Sequence, residues 1–203
     1  RLAGDGGVQA PRLELGEERV HLAVFGLAHH CTAAETSIEV RLLVLNYDPL
    51  IPGAPPNPPK CLHEECRWHD PRKLTDACIA DLEKATGGFI KHRIVEWRDL
   101  DIFPVKKDGF AYTPETFLSA HHRKTEWHQP DGLDYPRALA DQRVVELIDN
   151  DSIDEVWIFG APYFGYWEAS MAGPGAFYIN GGVYDKVAAR RPFAIMGFNY
   201  ERG

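Results

Sequence analysis

The stretch Ile153–Gly173, IDEVWIFGAPYFGYWEASMAG, decides how this chain is read. Its first eight residues, 153–160, form a short apolar run rich in β-branched and aromatic residues, which suits a buried strand. Residues 161–173 change character to glycines, aromatics and one carboxylate. In an open α/β sheet, ligands gather beyond the carboxyl ends of the strands. A core strand running into such a segment is therefore expected to place it beside a site. Gly160, Gly165 and Gly173 permit tight backbone geometry there. Tyr163, Phe164, Tyr166 and Trp167 would wall a pocket, with Glu168 and Ser170 as polar contacts. The plainer alternative, a structural loop whose aromatics fold back on the core, stays open.

Working outward, further runs have the strand pattern. RVHLAVFGLA (19–28) contains an apolar run, and SIEVRLLVLNYDP (37–49) has no breaker until Pro49. FIKHRIVEWRDLD (89–101) alternates apolar and polar residues, and RPFAIMGFN (191–199) is the last strand. Helical spacing of Leu74, Ala77, Cys78, Asp81, Leu82 and Ala85 predicts an amphipathic helix over 70–88, stopped by Gly87 and Gly88. A second short helix begins at Pro114 with Thr113 as its cap. A third spans 134–152. LIPGAPPNPPK has five prolines in eleven residues and must be a loop. Strands alternating with helices predict an α/β fold. Its sheet would be mainly parallel, with helices on both faces, as in Rossmann-like or flavodoxin-like three-layer folds. Residues 1–17 read as a tail or linker and 18–203 as one domain. The abrupt stop after FAIMGFNYERG is that of a fragment whose missing C-terminal region would complete the protein.

The 203 residues are 44% hydrophobic and 26% charged, ordinary for a globular protein. A net charge of -8 repels phosphate backbones and argues against a nucleic-acid partner. No apolar run approaches the roughly 20 residues of a membrane span. The opening RLAGDGG lacks an initiator Met, as after removal of a leader or upstream region. Four cysteines in an acidic, Trp-containing chain favour secretion. Cys61 and Cys66 flank a short polar turn that a disulfide would close. Cys61, Cys66 and His69 are also conceivable zinc ligands, although the spacing is not that of a finger. His29 and His30 follow the first strand. His121, His122 and His128 surround Glu126 in a cluster read as a solvated polar loop or, less readily, a metal site.

Polar residues follow several strands: Asn46 and Asp48, Asp99 and Asp101, Asn199 with Glu201 and Arg202. Converging carboxylates repel one another, and a bound cation or a retained proton relieves that repulsion. This predicts either a divalent metal ion or general acid–base chemistry. The alternative is that these residues are turn formers and helix caps. There is no G-x-S-x-G elbow, P-loop, dinucleotide fingerprint or HExxH.

DEVWIFGAPYFGYWEASMAGPGAF, with DGFAYT before it and FAIMGFNYERG behind it, resembles a family of uncharacterised secreted proteins of bacteria and fungi, over roughly residues 38 to 203. The resemblance implies secretion, an α/β core and a chain that continues further. It transfers no activity. The leading expectation is a secreted hydrolase of a polar extracellular substrate, such as a glycan. Glu168 and Glu201 would be its acid–base pair, or metal ligands with Asp48. Tyr163, Phe164, Trp167 and Asn199 would hold the substrate, since flat aromatic faces suit sugar rings. The rival expectation is a non-catalytic carbohydrate-binding or structural domain of a larger secreted protein.

Overall fold

Four consecutive apolar residues, Leu42–Leu45, sit at the centre of the molecule with no exposed surface. A strand buried on both faces must pair its backbone on both edges, because no water reaches its amides and carbonyls. The computed structural model, which describes residues 37–202, shows how this is met. In chain order the elements are β1 (Ile38–Tyr47), β2 (Leu50–Ile51), β3 (Lys60–Cys61), α1 (Leu62–Glu65), α2 (Pro71–Ala85), β4 (Ile90–Leu100) and α3 (Pro114–Arg123). Then come α4 (Tyr135–Asp141), α5 (Val144–Asp149), β5 (Glu155–Gly160), β6 (Ala169–Ala172), β7 (Val183–Tyr184) and β8 (Phe193–Asn199). The six-stranded sheet has the order β4-β1-β5-β8-β6-β7. β1 pairs in parallel with β4 on one side and β5 on the other, and β8 pairs in parallel with β5. β6 runs antiparallel to β8, with β7 parallel to β6. The expected mainly parallel α/β sheet is therefore present. The run 19–28 lies outside the described residues.

Side chains of β1 alternate between two cores, as the period of two requires. Leu43, Leu45 and Tyr47 join Val156, Ile158 and Ile195 with residues of α3, α4 and α5, among them Phe117, Tyr135, Leu139, Val144 and Ile148. Leu42 and Val44 join Trp157, Phe159 and Tyr200 with Leu74, Cys78 and Ile79 of α2. β4, the edge strand, alternates in exposure because α2 covers one of its faces.

Two helices depart from the expected pattern. α2 is capped by Asp70, whose side chain accepts from the amides of Arg72 and Lys73. Its inward face is Pro71, Leu74, Thr75, Cys78 and Ile79, while Ala77, Asp81, Leu82 and Ala85 are exposed. The stripe is thus rotated, and Asp81 does not intrude on it. The expected helix 134–152 is broken into α4 and α5 at Arg143, which has φ 51°. The Arg98 guanidinium takes the Gln142 carbonyl there, so that oxygen is not left unpaired at the break. The strand pair β2–β3 and the strands β6 and β7 were not visible as strands, because two to four residues carry too little periodicity.

At the amino end of the central strands, Asp154 accepts from the Arg41 amide at 3.0 Å and its Nε at 2.8 Å, and from Arg191 at 3.1 Å. The Arg41 hydrogen bond holds the Asp154 carboxyl below its ordinary range. A carboxyl depressed in the folded state stabilises above its unfolded value of about 3.9 and loses that contribution as the pH falls through the folded value. Asp154→Asn should therefore unfold at lower denaturant than the parent at pH 7, with the difference closing as the pH is lowered below about 4. Phe117, fully buried, has the rings of Phe103, Tyr112, Trp127 and Phe164 at 5.5–5.7 Å. Phe117→Ala should cost about 3–5 kcal/mol in urea unfolding.

Candidate functional site

Parallel register places the carboxyl ends of four strands along one edge of the sheet. Asn46 lies opposite Asp99 and Phe159, and Gly160 opposite Asn199. The segment after β5 folds back over this edge. Gly165 (φ 86°) lies so close to the chain at 132–133 that a Cβ would fall 2.8 Å from the Leu133 nitrogen. A Cβ on Gly197 would fall 2.2 Å from the Trp167 carbonyl oxygen. Backbone bonds fix the segment, with the Leu133 amide donating to Gly165 O at 2.7 Å and the Gly197 amide to Glu168 O at 3.0 Å. The Tyr135 hydroxyl accepts from the Trp167 amide at 2.7 Å.

The aromatics of this segment divide. Phe164 is 1% exposed and packs on Phe103 and Phe117. Tyr166 donates its hydroxyl to the Phe198 carbonyl at 2.8 Å, and burial pushes its phenol well above the ordinary value. Tyr163 and Trp167 remain 43% and 51% exposed, and Tyr163 stacks on Trp127 at 3.9 Å. A cavity of about 270 Å³ opens here, lined by Asp131, Tyr163, Phe164, Tyr166, Trp167 and Asn199. The structure thus brings Tyr163, Phe164, Trp167 and Asn199 together. Asp131 escaped sequence reasoning because nothing in HQPDGLD sets it apart from a turn residue. Its partner is the Lys106 ammonium, 1% exposed, which also donates to the Tyr163 carbonyl at 2.7 Å. Three larger hollows, about 490, 550 and 340 Å³, lie at α3, between α4, α5 and β7, and at the loop joining β2 to β3.

The carboxylates of the expected acid–base pair sit apart from this lining. Glu168 is exposed and accepts from the Asn180 amide group at 2.8 Å. Glu201 is exposed, and its amide donates to the Asn199 side chain at 2.9 Å. Asp48 is different. It is 7% exposed at the end of β1, and its Oδ2 lies 2.6 Å from His63 Nδ1 while Oδ1 accepts from the His63 amide at 3.0 Å. The hydrogen bond from Asp48 raises the His63 imidazole above its ordinary value. Cys61 completes the group: donor atoms of Asp48, Cys61 and His63 all lie within 4.8 Å of one another. Among the described residues this is the one cluster of three such side chains that can hold a metal ion.

The local chain explains the cluster. The proline-rich run 52–59 joins β2 to β3, which pair with Leu50 opposite Cys61. Leu62, fully buried, ties α1 to the core, and its amide donates to the Pro49 carbonyl at 3.0 Å. Cys61 and His63 are thereby returned to the strand end from which the chain departed. Burial first, and Asp48 next, push the Cys61 thiol up to about 11, so it is no ready nucleophile at neutral pH. Cys61 and Cys66 are both free thiols, and burial raises Cys66 to about 12. Cys66 and His69 stand outside the cluster; Asp48 and His63 take the places that the sequence spacing offered them. His128 bonds Asp108 at 2.6 Å and stacks on Phe110, whereas His121 packs on Trp68, so the 121–128 histidines do not converge on one point. His29 and His30 lie outside the described residues.

Behind the cluster the strand ends are cross-linked. Asn46 donates to Asp99 at 2.8 Å, as does the Trp97 indole at 2.6 Å. The fully buried Tyr200 donates its hydroxyl to Asn46 Oδ1 at 2.5 Å, and its ring lies 6.0 Å from His63. Asp101 accepts from the Leu50 amide at 2.6 Å. Asn46, Asp99 and Asp101 are therefore joiners of elements, which leaves Asp48 as the carboxylate facing reactive partners.

Lys106→Met would strand the Asp131 carboxylate and the Tyr163 carbonyl. It should cost about 2–4 kcal/mol in denaturant unfolding, and adding Asp131→Asn should restore part of the loss. No family model, curated protein or solved structure matches the chain.

Proposed function

We propose that the protein is a hydrolase of polar substrates, glycans and their esters among them, working from the carboxyl edge of a flavodoxin-like three-layer fold. The strand order β4-β1-β5-β8 supports that fold, since it reverses direction between β1 and β5, where such folds bind ligands. The observation that carries the activity is the Asp48–His63 pair beside Cys61. A carboxylate bonded to Nδ1 fixes the imidazole tautomer and orientation and leaves Nε2 for proton transfer. In this reading Nε2 takes a proton from water as its oxygen adds to an electrophilic carbon. It returns that proton to the leaving oxygen or nitrogen as the bond to it breaks. His63 with Asp48 replaces Glu168 and Glu201 as the acid–base group. In this reading the substrate extends from the aromatic cavity after β5, where Asp131 and Asn199 orient its hydroxyls, to His63, which lies outside that lining. An extracellular location belongs to the same proposal and rests on composition alone.

The exposed faces of Tyr163 and Trp167 over a polar cavity favour a second reading, a saccharide-binding domain without turnover. A panel of chromogenic esters, amides and glycosides, including acetylated sugars, separates the two. Hydrolysis is expected, with His63→Gln lowering kcat by about 100-fold or more. Glu168→Gln and Glu201→Gln should leave kcat unchanged. A His63→Gln variant as fast as the parent would sink the hydrolytic assignment. Saccharide binding that Trp167→Ala abolishes, with no turnover of any substrate, would establish the second.

A further inference from the structure

We propose that Asp48, Cys61 and His63 hold a single zinc-class divalent ion and leave one coordination position open to water or a substrate oxygen. The donor set points to this class. A thiolate, an imidazole and one carboxylate suit a borderline-soft, four-coordinate ion, whereas calcium and magnesium require an oxygen-rich shell. Three protein ligands with a fourth position free is the arrangement of a reactive zinc site, while a purely structural one closes all four.

The donors are positioned before any ion arrives. Cys61 and His63 stand two residues apart across the turn from β3 into α1, and Leu62 between them is locked into the core. Asp48 is held from the other side, because its backbone amide donates to the Leu100 carbonyl at 3.1 Å and continues the β1–β4 ladder. Its Oδ1 accepts from the His63 amide, so Oδ2 can turn to an ion while the carboxylate stays anchored. The 2.6 Å between Oδ2 and Nδ1 is a proton-bridged distance. Two ligands of one tetrahedral zinc stand about 3.3 Å apart at ordinary bond lengths. The ion therefore takes the place of the bridging proton, and the two side chains part by less than about 1 Å. Among nearby groups, Cys66 packs against the core and His69 is exposed, so neither competes for the site.

This inference uses the same residues as the hydrolytic reading but excludes its proton relay, since an ion on Nδ1 leaves the imidazole proton on Nε2; it is measured without turnover, so the failure of one is distinguishable from the failure of the other. The full chain, without a histidine tag, is stripped with a chelator and titrated with cobalt(II) under a phosphine reductant. A thiolate-to-cobalt charge-transfer band should appear and saturate at about one equivalent, with the visible intensity of four-coordinate cobalt, and zinc should displace it. Cys61→Ser, close to isosteric, should abolish the charge-transfer band. Asp48→Asn and His63→Gln should each weaken cobalt binding by about 10-fold or more. Far-ultraviolet circular dichroism checks that each variant is folded, and Cys61→Ser together with His63→Gln suffices if Asp48→Asn is not. Absence of a thiolate band in the parent overturns the site. So does a band that survives Cys61→Ser, which would put the ion elsewhere.

Discussion

The burial of β1 on both faces governs the rest of the molecule. Leu42–Leu45 are closed to solvent, so each amide and carbonyl of this run has to find a partner within the sheet. β4 and β5 supply them on either edge, both parallel, and parallel pairing requires long crossovers. Those crossovers are the helices. α2 joins the core around Leu42 and Val44, and α3 to α5 join the core around Leu43 and Leu45. The same register aligns the carboxyl ends of the strands, which is why Asn46, Asp99, Gly160 and Asn199 come to one edge although they are far apart in the chain.

At that edge, steric fit separates core from site. Phe164 and Tyr166 turn inward, Tyr163 and Trp167 outward, and the close approach at Gly165 and Gly197 allows the backbone to lie flat enough for both. Within residues 161–173 all four aromatics line the cavity, but only Phe164 and Tyr166 also pack into the core. Phe164 is 1% exposed. Lys106 joins the two roles by pairing Asp131, which faces the cavity, while donating to the Tyr163 carbonyl.

Electrostatics gives the Asp48 cluster its character. Asp48 is nearly closed to water, where an isolated carboxylate is costly, and the His63 side chain and amide offset that cost. The compensation comes from a residue 15 positions further along, returned by a hairpin whose loop is mostly proline and which cannot collapse into helix. A proline-rich excursion thereby places two reactive side chains over the end of the central strand.

The sequence by itself determined the α/β class, because long apolar or alternating runs and a capped helix carry periodicity that local chemistry imposes. The strands at 38–47, 90–100, 155–160 and 193–199, the helix after Asp70 and the helix after Thr113 were all legible in this way. So were the aromatics and Asn199 that share the cavity after β5, since parallel strands dictate which ends meet. The tertiary structure decided the rest. It rotated the buried face of α2, broke the 134–152 helix at Arg143 and added β6 antiparallel at the edge, each set by neighbours distant in the chain. It also left Glu168 and Glu201 exposed and joined Asp48 to His63 and Cys61. Residue type and spacing register a histidine but not its partner; His128 also holds a carboxylate at 2.6 Å, and only the return of the hairpin onto β1 gives His63 a buried one together with Cys61.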